Sequence, residues 1–144
     1  MTDSNLADGI LTYRGIVYPW HCDHMGHMNV MWYVSKFDEA TWTLMAGVGL
    51  TSDYFRGNGR GMAAVDQQIS YRRELLAGDA ISIRSQFLEL KDRSMRFRHV
   101  MVRDSDGVIA AETVLTGVHL DTAARRAVPL DGQFRQRILA QIGA

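Results

Sequence analysis

The longest helical pattern of the chain occupies residues 30–50, where apolar residues recur at spacings of three and four. The positions that would share one face of this helix are Val30, Val34, Phe37, Thr41, Leu44, Met45 and Val48. Apolar residues also fill most other positions, and a helix that is apolar nearly all round is normally buried by its neighbours. Asn29 can cap the first turn, and Gly47 or Gly49 can end the helix. The pattern therefore predicts a buried central helix.

Strands are predicted on both sides of this helix, because apolar and polar residues alternate there with a period of two. The predicted strands cover residues 10–18, 62–75, 80–90, 94–103 and 108–120, and a short helix follows at residues 133–142. Pro19 stops the first strand, and an Asp-Gly pair at residues 106–107 suits a hairpin turn. Residues 51–61 are rich in Gly, Ser, Asp and Asn and are predicted to form a connecting loop. One buried helix against one antiparallel sheet is an α+β fold.

Length and charge narrow the class of protein. At 144 residues the chain is expected to form one domain, residues 1–144, with residues 1–9 as a loose leader. Sixteen basic side chains balance sixteen acidic ones, so there is no electrostatic signature for nucleic acid or an anionic membrane surface. Cys22 is the only cysteine, which excludes an intramolecular disulfide and a cysteine-based zinc site. Without a signal-peptide pattern or an apolar run of about 18 residues, we expect a soluble cytoplasmic protein with no nucleic-acid or membrane partner.

The densest polar chemistry lies directly before the central helix, at residues 21–29. Asp23 can act there as a general base or a nucleophile, because a loop leading into a buried helix excludes competing water. A structural role for Asp23, capping a turn or pairing with an arginine, fits the sequence equally well. The N–H groups of the first helical turn, around Val30, have no intrahelical acceptor and carry the positive end of the helix dipole. A carboxylate and such a donor together make a site for acyl transfer, and Gly26 would let backbone and ligand approach closely.

Three histidines in the same stretch, His21, His24 and His27, allow a metal site as an alternative. A spacing of three brings side chains to one ion only on a helix, and these residues precede the predicted helix cap. We therefore predict no metal. For His27 the alternatives are hydrogen bonding that shapes the loop, which we favour, and direct acid–base work.

Several residues of the 21–29 stretch belong to a longer motif, Asp23-x-x-Gly26-His27-x-Asn29-x-x-x-Tyr33. The motif begins four residues after Pro19. With the later segments 69–75, 78–79, 106–107 and 110–112, it resembles the hotdog-fold acyl-CoA thioesterases, within them the 4-hydroxybenzoyl-CoA thioesterase and YbgC-like group. The resemblance covers about residues 12–130. The His-x-Asn element is also similar to the plant acyl-carrier-protein thioesterases, which share the fold.

The resemblance implies a hotdog fold, in which a five-stranded antiparallel sheet wraps around the long central helix. It also implies a homodimer, with pairs of dimers forming homotetramers and the site at the dimer interface. Asp23 matches the catalytic carboxylate, and the Val30 backbone N–H matches the donor to the thioester carbonyl. The substrate-binding positions implied are Gly26, His27, Asn29, Tyr33 and, from the partner chain, Met62.

The expected function is hydrolysis of an acyl-CoA thioester to a free carboxylic acid and CoA, without a cofactor. The 4-hydroxybenzoyl enzyme has apolar or aromatic residues at the positions of His27 and Asn29, so its aromatic substrate is not carried over to this chain. The acyl group, the choice between CoA and acyl-carrier protein, and the choice between a nucleophilic and a general-base mechanism stay open. The alternatives are a non-catalytic hotdog module that binds an acyl-CoA, and a hotdog dehydratase or hydratase.

Overall fold

The computed structural model describes residues 9–142, in which a curled antiparallel sheet packs against one long helix. The strands are β1 (Ile10–Ile16), β2 (Arg60–Tyr71), β3 (Ala80–Leu90), β4 (Ser94–Arg103), β5 (Ile109–Asp121) and β6 (Arg126–Ala127). The helices are α1 (Val30–Ala46), α2 (Ser52–Asn58) and α3 (Gly132–Ile142), with a short 3₁₀ helix at Pro19–His21. Apart from Gly9, the predicted leader lies outside the described residues. None of the helices within residues 9–142 is long and apolar enough to cross a membrane.

The strands are joined in the order β1-β3-β4-β5-β2, and every pairing is antiparallel. β6 adds a two-residue extension, because Arg126 and Ala127 pair with the end of β5. Gly78 and Gly107 have φ values of 97° and 75°, a backbone that glycine adopts without strain in the turns before β3 and β5. The predicted five-stranded sheet is confirmed, with β6 as an addition. Apart from α1, β2 and the segment between them, observed and predicted bounds differ by at most two residues.

α1 supplies one side of the core, and Gly47 follows it as the C-cap. Its buried apolar residues are Tyr33, Phe37, Ala40, Leu44 and Met45. The prediction that other elements bury α1 on most sides is wrong for the described chain. Four of its apolar residues are between 41% and 60% exposed: Val30, Met31, Val34 and Trp42. Trp42 meets Phe55 of α2 edge-to-face but stays 42% exposed, so much of this side of α1 is open in the described chain.

The segment after α1 contains a helix, which corrects the loop predicted at residues 51–61. Thr51 caps α2, because its Oγ1 accepts a hydrogen bond from the Tyr54 N–H at 3.2 Å. Asp53 places a negative charge in the first turn, and Gly59 follows the helix with a φ of 61°. Small and polar residues that suggested a loop therefore serve as the caps of a short helix.

A chain of buried polar side chains links α1 to three strands. The Thr12 and Ser85 hydroxyl oxygens are 2.7 Å apart, and the Ser85 Oγ lies 2.5 Å from His99 Nδ1. On the other side of the ring, His99 Nε2 is 2.8 Å from the Thr41 Oγ1 on α1. His99 is fully buried, and burial lowers the pKa of its imidazole to about 3. The ring is therefore neutral at neutral pH, with both nitrogens hydrogen-bonded.

Because the His99 ring is buried and neutral, acid should lower the free energy of unfolding. Since the pKa of His99 is about 3 when folded and 6.5 when exposed, the unfolded chain binds the extra proton first. The contribution of the neutral His99 ring to the free energy of unfolding is complete above pH 6.5 and is lost as the pH falls towards 3. The free energy of unfolding therefore changes by at most about 1.4 kcal/mol per pH unit in this range. Urea unfolding between about pH 7.5 and about pH 5 should show this slope, before most carboxylates titrate.

His99→Gln is the control, because an amide can still meet both hydroxyl partners while it does not titrate. The pKa of His21 is also lowered by burial, but that residue is present in both proteins and its effect cancels. An equal pH slope in wild type and His99→Gln would show that His99 does not carry the effect.

Candidate active site

Residues 22–28 form a narrow loop that leads into α1. The Asp23 N–H donates to the His27 carbonyl at 3.1 Å, and the Gly26 N–H donates to the Asp23 carbonyl at 3.0 Å. Gly26 has a φ of 89°, which a residue with a Cβ rarely adopts. Asp23 Oδ1 accepts a hydrogen bond from the Met25 N–H at 2.9 Å, so the side chain does cap a turn. Its second oxygen has no partner among residues 9–142 and is available for chemistry.

The N-terminus of α1 presents one uncommitted donor. Asn29 caps the helix as predicted, because its Oδ1 accepts from the Met31 N–H at 3.0 Å. The Asn29 carbonyl accepts from the Trp32 N–H at 3.0 Å. The Val30 N–H has no acceptor within the described part of the chain, and Val30 is 59% exposed. A carbonyl oxygen placed here would meet an N–H group at the positive end of the helix dipole.

Removing the cap should destabilise α1 measurably. Asn29→Ala leaves the Met31 N–H without its acceptor, so the free energy of unfolding should fall by about 1 kcal/mol. Asn29→Ser keeps a side-chain oxygen at the cap and should stay within a few tenths of a kcal/mol of wild type. Urea unfolding of the three proteins tests this, and equal losses in both variants would contradict a capping role.

The opposite wall of the site comes from the end of β2 and the segment after it. Both the Arg72 and Arg73 N–H groups donate to the Ala110 carbonyl, at 2.8 and 3.1 Å, so β2 ends at Tyr71 and not at residue 75 as predicted. The Met28 N–H donates to the Leu75 carbonyl at 2.8 Å and fastens the loop to this wall. Between loop and wall lies a cleft of about 290 Å³, lined by Asp23, His27, Met28, Val30, Tyr33, Tyr71, Arg72, Arg73 and Glu74.

Charged side chains of this wall complete the site. Glu74 Oε1 lies 3.6 Å from His27 Nε2, which links the two sides of the cleft. Arg72 is neutralised by Glu112 at 2.8 Å, whereas the Arg73 guanidinium donates to the Arg72 carbonyl at 2.9 Å. The sequence assigned no role to residues 71–74, because only the folded sheet brings the end of β2 next to the loop. Their one signal was their place in the 69–75 segment of the family resemblance.

Tyr33 forms the floor of the cleft. Its hydroxyl donates to the Arg73 carbonyl at 3.4 Å, and its ring packs edge-to-face against Tyr71 with centroids 5.1 Å apart. Burial, with smaller effects of Tyr71 and Glu74, raises the pKa of Tyr33 to about 12. Tyr33 therefore remains a neutral hydrogen-bond donor, which joins α1 to the opposite wall.

The predicted site residues are thus only partly brought together. Asp23, His27, Val30 and Tyr33 line one cleft, and Gly26 and Asn29 shape the loop beside it. Met62 pairs with His119 near the other end of β2 and does not reach the cleft within one chain. A contribution from Met62 of the partner subunit stays a prediction.

The three histidines have separate environments. His21 is buried against Trp32, with ring centroids 4.6 Å apart, and its Nδ1 accepts from the Tyr18 N–H. His27 faces the cleft instead, and His24 is exposed. Across residues 9–142 no three His, Cys, Asp or Glu side chains are grouped so that they could hold a metal ion.

Residues 17–138 match the profile of the Thioesterase-like superfamily. The chain belongs to this superfamily. A protein of Staphylococcus aureus solved in complex with CoA has the same fold, with a TM-score of 0.88 at 16% identity over 94% of this chain and 85% of the other. The predicted hotdog arrangement is therefore confirmed.

Three relatives of this superfamily member carry activity names. The betainyl-CoA thioesterase of Pseudomonas aeruginosa is 24% identical over 94% of this chain and 85% of its own length. The long-chain acyl-CoA thioesterase FadM of Escherichia coli is 26% identical over 83% of this chain and 89% of its own. The L-carnitine dehydrogenase/betainyl-CoA thioesterase of Agrobacterium fabrum is 32% identical over 75% of this chain, which spans only 22% of that larger protein. The names of these relatives confirm the predicted enzyme class, a thioester hydrolase.

Proposed function

We propose that this chain is a cytoplasmic acyl-CoA thioesterase that hydrolyses an acyl-CoA to a carboxylic acid and CoA. The observation that carries the proposal is the cleft in which the free oxygen of Asp23 and the open Val30 N–H line the same space. The Asp23 carboxylate can attack the thioester carbonyl or activate a water molecule, while the Val30 N–H stabilises negative charge on the carbonyl oxygen. The activity names of the relatives support this assignment.

The proposed reaction begins with the thioester carbonyl oxygen accepting a hydrogen bond from the Val30 N–H. In the general-base route, Asp23 takes a proton from water, and the water oxygen adds to the carbonyl carbon. The carbon–sulfur bond then breaks, and the CoA thiolate leaves and takes up the proton. In the nucleophilic route, a carboxylate oxygen of Asp23 attacks the carbonyl carbon, the carbon–sulfur bond breaks and CoA thiolate leaves, and water then cleaves the mixed anhydride to release the acid, its second proton going to the thiolate. A single turnover in ¹⁸O-labelled water can place the label on the Asp23 carboxylate only by the nucleophilic route.

Other residues of the cleft have supporting roles in this proposal. His27, held near Glu74, orders the loop, while Gly26 lets the thioester approach the backbone. Tyr33 keeps the floor of the cleft in place through its bond to the Arg73 carbonyl. The Arg73 guanidinium meets no carboxylate within residues 9–142, so it is free to meet a CoA phosphate at the mouth.

The proposed assembly is a homodimer, with pairs of dimers as the larger form. Within the described residues β2 pairs only with β5, so its second edge is open. Residues 64–68 of β2 are all exposed, including Val65 at 61%. Pairing of β2 with its counterpart in a second copy would cover this edge and join the two sheets. Light scattering on the purified protein gives the assembly directly, and a monomer at working concentration would contradict it.

The deciding experiment is a substrate screen. The purified protein is offered acyl-CoAs with short, long, aromatic and cationic acyl groups, and thiol release is followed with a disulfide dye. The relatives make betainyl-CoA and long-chain acyl-CoAs the first candidates. Release of CoA and acid in equal amounts is expected for at least one group. Tight binding of acyl-CoA with no release would favour the non-catalytic binding module. An enoyl-CoA is added to the panel, and addition of water to its double bond with the thioester intact would indicate a hydratase.

A further inference from the structure

The loop at residues 22–28 has two arms, and His21 lies at its base. The Asn29 N–H donates to the His21 carbonyl at 2.9 Å, and just above this bond the two arms form an antiparallel bridge. Asp23 follows the bridge on one arm, whereas the Val30 N–H comes directly after Asn29 on the other. The spacing of the two proposed reacting groups is therefore set at this base.

The two arms are held in different ways. The arm that leads into α1 is fixed by the helix and by the Leu75 carbonyl, which accepts from the Met28 N–H at 2.8 Å. The other arm, residues 21–24, carries Asp23, and His21 is the one residue of this arm that is buried, at 8% exposure. The position of Asp23 therefore depends on how the His21 side chain is held.

The His21 imidazole is held by one hydrogen bond and by aromatic packing. Its Nδ1 accepts from the Tyr18 N–H at 2.9 Å, so the neutral ring carries its proton on Nε2. The ring packs against Trp32 of α1 with centroids 4.6 Å apart, and against Trp20 and Tyr18 at 5.8 and 6.0 Å. These contacts fix the base of the loop between the 3₁₀ helix and α1.

A proton on Nδ1 would undo this arrangement. The N–H groups of Tyr18 and of the ring would then face each other, so the ring would have to turn away. From α1 the buried Lys36 ammonium, held by the Tyr13 hydroxyl of β1 at 2.9 Å, repels a charged ring. Within residues 9–142 no acidic side chain is ion-paired with His21. Burial, with a smaller effect of Lys36, lowers the pKa of His21 below 6.5.

We infer that His21 is a positioning residue of the active site. Its neutral imidazole holds the arm of Asp23 so that this carboxylate and the Val30 N–H meet the same thioester carbonyl. His21 does not line the cleft, so it acts through the loop. The inference rests on the proposed function and adds a residue to its machinery.

Removing the acceptor at residue 21 should lower kcat more than it changes KM. His21→Leu keeps an apolar side chain in the buried place but cannot accept from the Tyr18 N–H. Its kcat should fall roughly tenfold, with KM changed by less than about twofold, because the misplaced group acts in the transition state. His21→Asn should stay within about threefold of the wild-type kcat at about pH 8, because its Oδ1, bonded to Cγ like Nδ1, can accept instead.

The pH profile separates positioning from general support of the fold. Because the pKa of His21 lies below 6.5, the wild-type kcat should fall only below that pH, as the ring takes up its proton. His21→Asn cannot titrate at this position, so its kcat should fall less between pH 6.5 and about pH 5. His24 and His27 are present in both proteins and cancel. His24→Asn, a change at an exposed residue of the same loop, is the matched control and should keep the wild-type profile.

Hydrogen exchange followed by NMR tests the loop without turnover. The Asn29 N–H, which donates to the His21 carbonyl, should keep its protection in His21→Asn and lose roughly tenfold in His21→Leu. If no acyl-CoA is hydrolysed, the proposed function fails, yet this exchange still shows whether the ring holds the loop.

Two results would overturn the inference. One is a His21→Leu protein that is folded by circular dichroism and has the kcat and the Asn29 protection of wild type. The other is an equal fall of kcat in acid for wild type and His21→Asn, which would assign the titration to another group. The second comparison does not use the leucine variant, so it decides the matter even if that variant does not fold.

Discussion

Replacing Asp23 with asparagine is expected to lower kcat for acyl-CoA hydrolysis by at least about 10²-fold. The amide has the same shape and keeps an Oδ1 that can accept from the Met25 N–H, so the turn at the loop is preserved. What disappears is the charge and basicity of the second oxygen, which the proposed reaction requires. The measurement is thiol release at saturating substrate, with the wild type and the variant compared at equal protein concentration.

Two further variants separate chemistry from loop structure. Asp23→Ala loses the turn contact as well as the carboxylate, so it should also lower the free energy of unfolding, by about 1 kcal/mol. Asp92→Asn changes an exposed carboxylate outside the cleft and should keep wild-type turnover. Undiminished turnover in Asp23→Asn would remove Asp23 from the mechanism.

Val30→Pro is expected to lower kcat by about 10²- to 10³-fold, because it deletes the N–H group that should stabilise the oxyanion. The fold should tolerate the change. Val30 is the first residue of α1, where proline is favoured and no intrahelical bond is lost. The preceding Asn29 already has φ −70° and ψ 145°, the extended backbone that a following proline requires.

Val30→Ala is the matched control for this experiment. It removes the side chain but retains the N–H, so its kcat should remain much closer to wild type than that of the proline variant. Circular dichroism and urea unfolding check that both variants keep the fold. If Val30→Pro folds normally and turns over as fast as Val30→Ala, this N–H does not stabilise the transition state.

The local parts of the site could be predicted from the sequence because they are contiguous in the chain. The loop, the Asn29 cap and the first N–H of α1 all lie within ten residues, and short-range rules apply to them. The far wall is different. Tyr71 and Glu74 reach the loop only because the antiparallel sheet folds the end of β2 back against α1, a placement that no local pattern encodes.

The errors in the fold predicted from the sequence have equally specific causes. The segment of α2 has the composition of a loop because the ends of helices and turns use the same residue types, here Ser52, Asp53 and Gly59. β6 is two residues long, too short for alternation to be visible. The apolar pattern of α1 predicts burial on most sides, yet an apolar side that is covered only by a ligand or a second chain has the same composition as a buried one.

The open edge of β2 also affects how readily the protein aggregates. If the proposed homodimer forms, a protomer that loses its partner exposes one edge of a twelve-residue strand, whose unpaired backbone groups can template misassembly with other chains. The register shift between Ala64 and Asp66 interrupts this edge with a bulge and a carboxylate, devices that hinder indiscriminate strand pairing. A weakened interface in the proposed homodimer would therefore shorten the working lifetime of the protein through aggregation, even where each protomer remains folded.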